Sequence, residues 1–209
     1  MDTFLTVLVM GPPMLLAVIL HEISHGLVAG WLGDPTAKKA GRLSLNPLRH
    51  IDPMMTIILP GILIASGSPF VFGGAKPVPV NASRFENPRR DMCWVALAGP
   101  VCNFLLALIS YGLLQILALM PTGGLPMMII GQLLAYSLLI NVVLGTFNLI
   151  PIPPLDGGRI AVGLLPIQLA RPLAHIERYG IMIVMLLLFS GWLEPLLEPF
   201  TRLAISVLP

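Results

Sequence analysis

Apolar residues gather in five runs along the chain, at 12–32, 54–72, 92–119, 127–150 and 176–193. About 20 apolar residues in a helix cross the hydrocarbon core of a bilayer, so four of these runs predict membrane-spanning helices, the last only just long enough. In the first, Gly11-Pro12-Pro13 either kinks a span that begins near Phe4 or opens a new helix, and Gly33-Asp34-Pro35 ends it. The run at 54–72 is broken by Pro60-Gly61 and Gly67-Ser68-Pro69, which predicts a segment that re-enters the membrane or lies along its face. Residues 36–45 alternate in part, and Lys76-Pro77-Val78-Pro79-Val80 spaces its prolines. Both predict short strands, the second an edge strand, because proline costs no ladder bond on its outer side. Near the end of the chain Phe200, Leu203, Ala204 and Val207 stand at helical spacing, which predicts an interfacial helix. The fold class expected is thus an all-α polytopic membrane protein. It has about four transmembrane helices, a re-entrant or membrane-face segment and a small membrane-associated β element.

Composition agrees with a lipid bilayer as the solvent. Of 209 residues, 56% are hydrophobic and 11% charged, and the mean hydropathy is +0.89, outside the range of ordinary soluble domains. A formal charge of +2 is too small to suggest a nucleic-acid partner. The first run lacks a basic lead-in and a small-residue cleavage site, so it is expected to stay as structure. Lys38, Lys39, Arg42 and Arg49 precede the broken run, Lys76, Arg84, Arg89 and Arg90 follow it, and Arg159, Arg171 and Arg178 lie between the last two spans. If all these basic loops are cytoplasmic, the chain has four spans with its N-terminus outside; a count of five would put one basic loop outside, against the positive-inside rule. Cys93 and Cys102 fall nine positions apart on one expected helix, beyond disulfide reach, and read as small packing residues.

The first run contains the chain's least expected polar residues. His21-Glu22-Ile23-Ser24-His25 sits between the apolar stretches 14–20 and 26–32. Residues i and i+4 share a helix face, so His21 and His25 can offer two imidazole nitrogens to one metal, with Glu22 beside them. Ionisable groups at lipid depth mark function by default. Catalytic zinc takes three protein ligands and keeps one position open, and the best third candidate is Asp156, in Asn148-Leu149-Ile150-Pro151-Ile152-Pro153-Pro154-Leu155-Asp156-Gly157-Gly158. That stretch ends a predicted span on the side toward which the first helix carries His25. The plainer reading of Asp156 is a solvated turn residue beside two glycines. His50 and Asp52 could support the site or cap a loop, and Asn103 could join helices or support the site.

These motifs together resemble the site-2 protease family of intramembrane zinc metalloproteases. The resemblance rests on His-Glu-Ile-Ser-His at 21–25, on the Asn148 to Gly158 stretch, and on Ala98-Gly99-Pro100-Val101-Cys102-Asn103. Arg42-Leu43-Ser44-Leu45-Asn46-Pro47 with His50-Ile51-Asp52, and Gly74-Ala75-Lys76-Pro77-Val78-Pro79-Val80-Asn81, resemble the small prokaryotic branch, and no PDZ-like insertion is seen. The resemblance implies a Zn2+ cofactor held by His21, His25 and Asp156, Glu22 as the catalytic acid/base, and Asn148 as a contact to the substrate carbonyl. It implies a single integral-membrane metalloprotease domain over 1–209, with a catalytic core at about 12–160 and a C-terminal span and interfacial helix at about 176–209. The function expected is hydrolysis of peptide bonds in or near the transmembrane segments of single-span proteins, in a prokaryotic cell membrane, from a site open to the cytoplasm. Val78 and Val80 are expected to touch the unwound substrate by strand addition. The competing classes are a metal-ion transporter and a non-catalytic helix-binding membrane protein. Neither explains a glutamate beside the first histidine.

Overall fold

The computed structural model describes residues 3–66, 73–120 and 124–208. Among them every regular element is helical. Helix α1 (Thr3–Trp31) runs unbroken through Pro12 and Pro13. After a turn come α2 (Thr36–Lys39), a π-helical turn at Pro53–Ile58 and α3 (Leu59–Ala65). The long helices α4 (Pro88–Ala118) and α5 (Gly124–Asn148) follow, then α6 (Asp156–Leu164), α7 (Ile167–Ile176), α8 (Gly180–Phe189) and α9 (Leu193–Ser206).

Four segments are long and apolar enough to cross a membrane: Leu8–Trp31, Pro88–Ala118, Gly124–Asn148 and Ile167–Phe189. Helix α4 shows why lipid must surround them. Leu105, Leu108, Ile109, Leu113 and Ile116 lie exposed on one face, while Ala107, Ser110 and Leu114 are buried on the other. A continuous apolar face of that kind needs an apolar solvent. The chain is therefore an integral, multi-pass membrane protein. The helical stretch Pro53–Ala65 is apolar but too short to cross; the remainder of the expected re-entrant run, from residue 67 to 72, lies outside the described residues.

The expected β element is absent among the described residues, for reasons visible in the hydrogen bonds. Residues 36–39 turn into α2 because Asp34 accepts from the Thr36 N–H and hydroxyl and Lys39 N–H reaches the Pro35 carbonyl. Residues 76–80 stay extended without a ladder. Pro77 and Pro79 have no N–H to give, Lys76 N–H goes to the His50 carbonyl, and Val78 N–H goes to the Glu22 carboxylate, so no neighbouring strand is engaged.

Helices α1, α4 and α5 form the centre, with the C-terminal part of α1, the start of α4 and the end of α5 at one end. Small residues make this possible. Gly26 on α1 faces Leu43, Ala37 and Val78, where a Cβ would stand 2.6 to 3.0 Å from their side chains. Gly145 on α5 receives the Phe104 ring of α4. At its N-terminus α4 is capped by Asp91, which accepts from Asn87 N–H at 3.0 Å, with Pro88 in the first turn. Helix α9 returns along α5: Leu193 and Leu197 pack with Phe147 and Ile150, whereas Val207 and Leu208 pack with Leu134 and Leu138. The C-terminal segment, expected to lie at the membrane interface, is helical and packs lengthwise along α5.

Candidate metal centre and active site

Helix periodicity places His21 and His25 one turn apart on α1, their ring centroids 4.7 Å apart and their planes at 90°. Both face α4, and Gly99 of α4 is what admits them: a Cβ there would lie 2.5 Å from Cε1 of each ring and 2.6 Å from His21 Nε2. Asp156 arrives from the opposite side, at the start of α6. The turn before it is drawn tight against Gly157 and Gly158, whose added Cβ atoms would collide with the carbonyls of Leu149 and Ile150 and with the Pro153 nitrogen. Only glycine accepts so close a backbone approach.

Three atoms converge as a result. His21 Nε2 and His25 Nε2 are 3.1 Å apart, and Asp156 Oδ2 lies 3.1 Å from the first and 3.4 Å from the second. The other ring nitrogens determine what this triangle is. His21 Nδ1 faces Asn103 Oδ1 at 2.6 Å, and His25 Nδ1 faces the Val95 carbonyl at 2.7 Å. Both partners are acceptors, so each Nδ1 carries the proton and each Nε2 presents a bare lone pair. Asp156 Oδ2 is buried and accepts no hydrogen bond. Burial alone pushes the Asp156 carboxyl up; positive charge among the three donors, from protons on the imidazoles or from a cation between them, holds it below the ordinary value and keeps the oxygen anionic. Two lone pairs and an anionic oxygen that face one another, buried and without donors, suit a cation. Donors about 2.0–2.2 Å from a tetrahedral zinc stand roughly 3.3–3.6 Å from one another, and these separations come within a few tenths of an ångström of that. The residues present fit the metal.

Glu22 lies beside the triangle, its carboxylate within 4.8 Å of both imidazole donors. Its Oε2 accepts from Val78 N–H at 2.8 Å, which ties one of its two oxygens to the 73–81 segment. Two donor sets can therefore be drawn with His21 and His25, one with Glu22 and one with Asp156. The shorter separations and the orphaned oxygen favour Asp156.

All these groups open onto one cavity of about 290 Å³, lined also by Asn148, Val78, Val80 and Arg159. Asn148, on the last turn of α5, donates one amide hydrogen to the Leu144 carbonyl at 3.0 Å, which leaves the second hydrogen uncommitted by that bond. Val78 is buried and Val80 half-buried at the cavity wall. His50 and Asp52 take loop roles: His50 Nε2 donates to the Ser44 carbonyl at 2.7 Å, and Asp52 accepts from Met54 and Met55 N–H. Reading the sequence missed Asn141, whose amide meets Asn103 behind His21. Its signal was a lone asparagine inside an apolar span, where a polar side chain needs a partner.

A zinc-fitting triangle with an adjacent carboxylate, buried among membrane-length helices, defines a membrane-embedded metallohydrolase. Comparison with known proteins narrows this. The model of Peptidase family M50 matches residues 116–191, which include Asn148 and Asp156. The chain is 41% identical over 184 residues to the "Putative zinc metalloprotease YwhC" of Bacillus subtilis, covering 84% of this chain and 77% of that protein. It is 32% identical over 182 residues to the "Putative zinc metalloprotease Rip2" of Mycolicibacterium smegmatis, and 31% over 187 residues to its namesake in Mycobacterium tuberculosis, covering 64% and 67% of those proteins. No solved structure matches the chain. The chain belongs to peptidase family M50, the site-2 protease family, and is a zinc metalloprotease.

Proposed function

We propose that this metalloprotease is an intramembrane endopeptidase that cuts single-span membrane proteins in or near their transmembrane segments. The observation that carries the reading is the depth of the donor triangle: His21 and Asp156 are 6% and 7% exposed, and the two histidines belong to a helix of membrane-spanning length. His21, His25 and Asp156 hold the zinc. When bound, zinc supplies a Lewis acid and brings the pKa of a coordinated water near neutrality. Glu22, fixed by Val78 N–H, takes a proton from the attacking water and returns it to the leaving amine. As charge develops on the substrate carbonyl oxygen, the second amide hydrogen of Asn148 meets it, the first being anchored on Leu144.

A helical substrate hides its carbonyls in its own hydrogen bonds, so it must unwind before attack, and helix-weakening residues near the scissile bond favour it. The cavity wall at Val78 and Val80 receives the unwound stretch by side-chain contact; the Val78 N–H is already engaged and does not pair with it. The basic loops share the end of the bundle that carries the site, which supports a site open to the cytoplasm in a prokaryotic cell membrane. The test is cleavage of single-span substrates by the zinc-loaded chain in proteoliposomes, read by mass spectrometry of new termini. The expected result is a cut within or beside the apolar segment that Glu22→Gln abolishes. Cuts confined to soluble loops, or cleavage that persists in Glu22→Gln, would overturn the proposal.

A further inference from the structure

Behind His21 a chain of side chains crosses three helices. Asn103 of α4 is 0% exposed and Asn141 of α5 is 1% exposed. Asn103 Oδ1 faces His21 Nδ1 at 2.6 Å. Asn103 Nδ2 donates to Asn141 Oδ1 at 2.8 Å, with the Ala17 carbonyl at 3.4 Å. Asn141 Nδ2 donates to the Ser137 carbonyl at 2.9 Å and approaches the Ser137 hydroxyl at 3.4 Å. That hydroxyl in turn accepts from Ser110 at 2.8 Å.

Each link has a direction, and a backbone group sets it. A carbonyl can only accept, so the Asn141 end facing Ser137 must be its NH2, and its oxygen must face Asn103. That oxygen accepts only, so Asn103 must present its NH2 to it, and the Ala17 carbonyl demands the same. The Asn103 oxygen is left facing His21, so His21 must donate from Nδ1 and keep Nε2 bare. Flipping either amide would set acceptor against acceptor between side chains only 0% and 1% exposed, at a cost buried polar groups rarely bear.

We propose that the Ser137 carbonyl, acting through the Asn141 and Asn103 amides, selects the His21 tautomer and holds its ring for metal binding. Asn103 and Asn141 are then positioning residues of the zinc site. The arrangement is one-sided. His25 takes its tautomer directly from the Val95 carbonyl at 2.7 Å, with no side chain between. One ligand is therefore set by backbone alone and the other through two amides that mutation can remove.

The inference rests on His21 being a ligand, so the test separates the two. Zinc affinity is measured by chelator competition on the full chain in detergent for wild type, His21→Ala, Asn103→Leu and Asn141→Leu. Imidazole 15N spectra of the metal-free protein are recorded in parallel; with four histidines the signals can be assigned by single replacements. Asn103→Leu is expected to weaken zinc binding about 10–100-fold. Asn141→Leu is expected to weaken it less, because the Ala17 carbonyl still orients Asn103. Wild-type His21 should be protonated at Nδ1, Asn103→Leu should show mixed tautomers at His21 and Asn141→Leu a smaller admixture, and His25 should stay at Nδ1 throughout. If His21→Ala loses zinc while Asn103→Leu binds as tightly as wild type, the relay is wrong and the ligand assignment stands. If His21→Ala keeps wild-type affinity, the ligand assignment fails, and the relay's role in metal binding fails with it. Should either leucine variant not fold, the wild-type spectrum still decides: a His21 protonated at Nε2 overturns the relay.

Discussion

The donor triangle has two sides built in opposite ways. On one side, His21 and His25 come from the middle of an unbroken helix, where the 3.6-residue turn alone brings both rings to one face. On the other, Asp156 opens α6 directly after the irregular turn that follows α5, and its position depends on close backbone contacts at Gly157, Gly158 and Gly180. The helix makes its half of the site from local geometry. The turn makes its half from packing that involves residues remote in sequence, such as Gly180 against Pro153 and Pro154. The first half should tolerate changes outside its face; the second should fail whenever its glycines gain a side chain.

The largest effect expected is loss of the metal from either side. Removing one of the three proposed ligands should cost more than the roughly 10–100-fold seen when a ligand's supporting partner is removed, so Asp156→Ala and His25→Ala should each reduce zinc affinity by more than about 100-fold. Equal losses would make the two sides equivalent in chemistry despite their unlike construction. An Asp156→Ala chain that kept its zinc would demote Asp156 to a turn residue and bring Glu22 forward as the third ligand.

Adding one methyl group separates the sides by mechanism. Gly99→Ala pushes against the imidazole rings, which can swing away, so this variant should fold and melt within a few degrees of wild type yet bind zinc poorly. Gly157→Ala pushes against backbone carbonyls that cannot move without opening the turn, so it should lose about 1–3 kcal/mol of stability as well as zinc. Thermal melting with zinc titration checks both, and a Gly157→Ala chain as stable as wild type would show the turn to be adaptable. Asn148→Ala should keep the metal and the fold while lowering kcat by about 10²–10³, the usual cost of losing one donor to developing negative charge. A rise in KM with kcat unchanged would instead make Asn148 a binding contact.

The same contrast explains what could be read from the sequence. The four membrane-length helices and the His21–His25 pair follow from apolar run length and i, i+4 spacing, both local properties. The short strands expected at 36–45 and 76–80 failed because strand patterns describe a partner as much as a segment. In the fold the free N–H groups of Lys76 and Val78 go to the His50 carbonyl and to Glu22, and Asp34 draws residues 34–39 into a helical turn. Motif and chain order suggested Asp156 as a ligand, but its approach to His21 depends on glycine contacts that spacing alone does not reveal. Asn141 was invisible for a related reason: a mid-span asparagine announces that it has a partner without saying which helix holds it.

The smallest expected effect concerns the clasp that keeps Val78 over Glu22, and it is read by pH. Asp34 is 0% exposed and accepts from Asn81 N–H at 2.6 Å and from Thr36 N–H and hydroxyl, with Arg84 Nε 3.7 Å away. Burial pushes the Asp34 carboxyl up, but the Asn81 and Thr36 hydrogen bonds and the Arg84 charge outweigh it, so its pKa lies below the ordinary value. A carboxyl whose pKa is lowered by folding contributes stability that is complete above its unfolded value, about 4, and is lost as pH falls through the native value. Wild type should therefore lose this contribution below about pH 4, and Asp34→Asn should lack it at every pH. The variant should be less stable at pH 7 by about 1.5–3 kcal/mol, the range for hydrogen bonds to a charged acceptor, with the gap narrowing as the pH is lowered. Limited proteolysis of the 73–87 stretch between pH 7 and pH 3 reads this locally. Parallel profiles for the two chains would mean that Asp34 contributes no ionisation-linked stability and that packing around Gly26 alone holds the segment over the site.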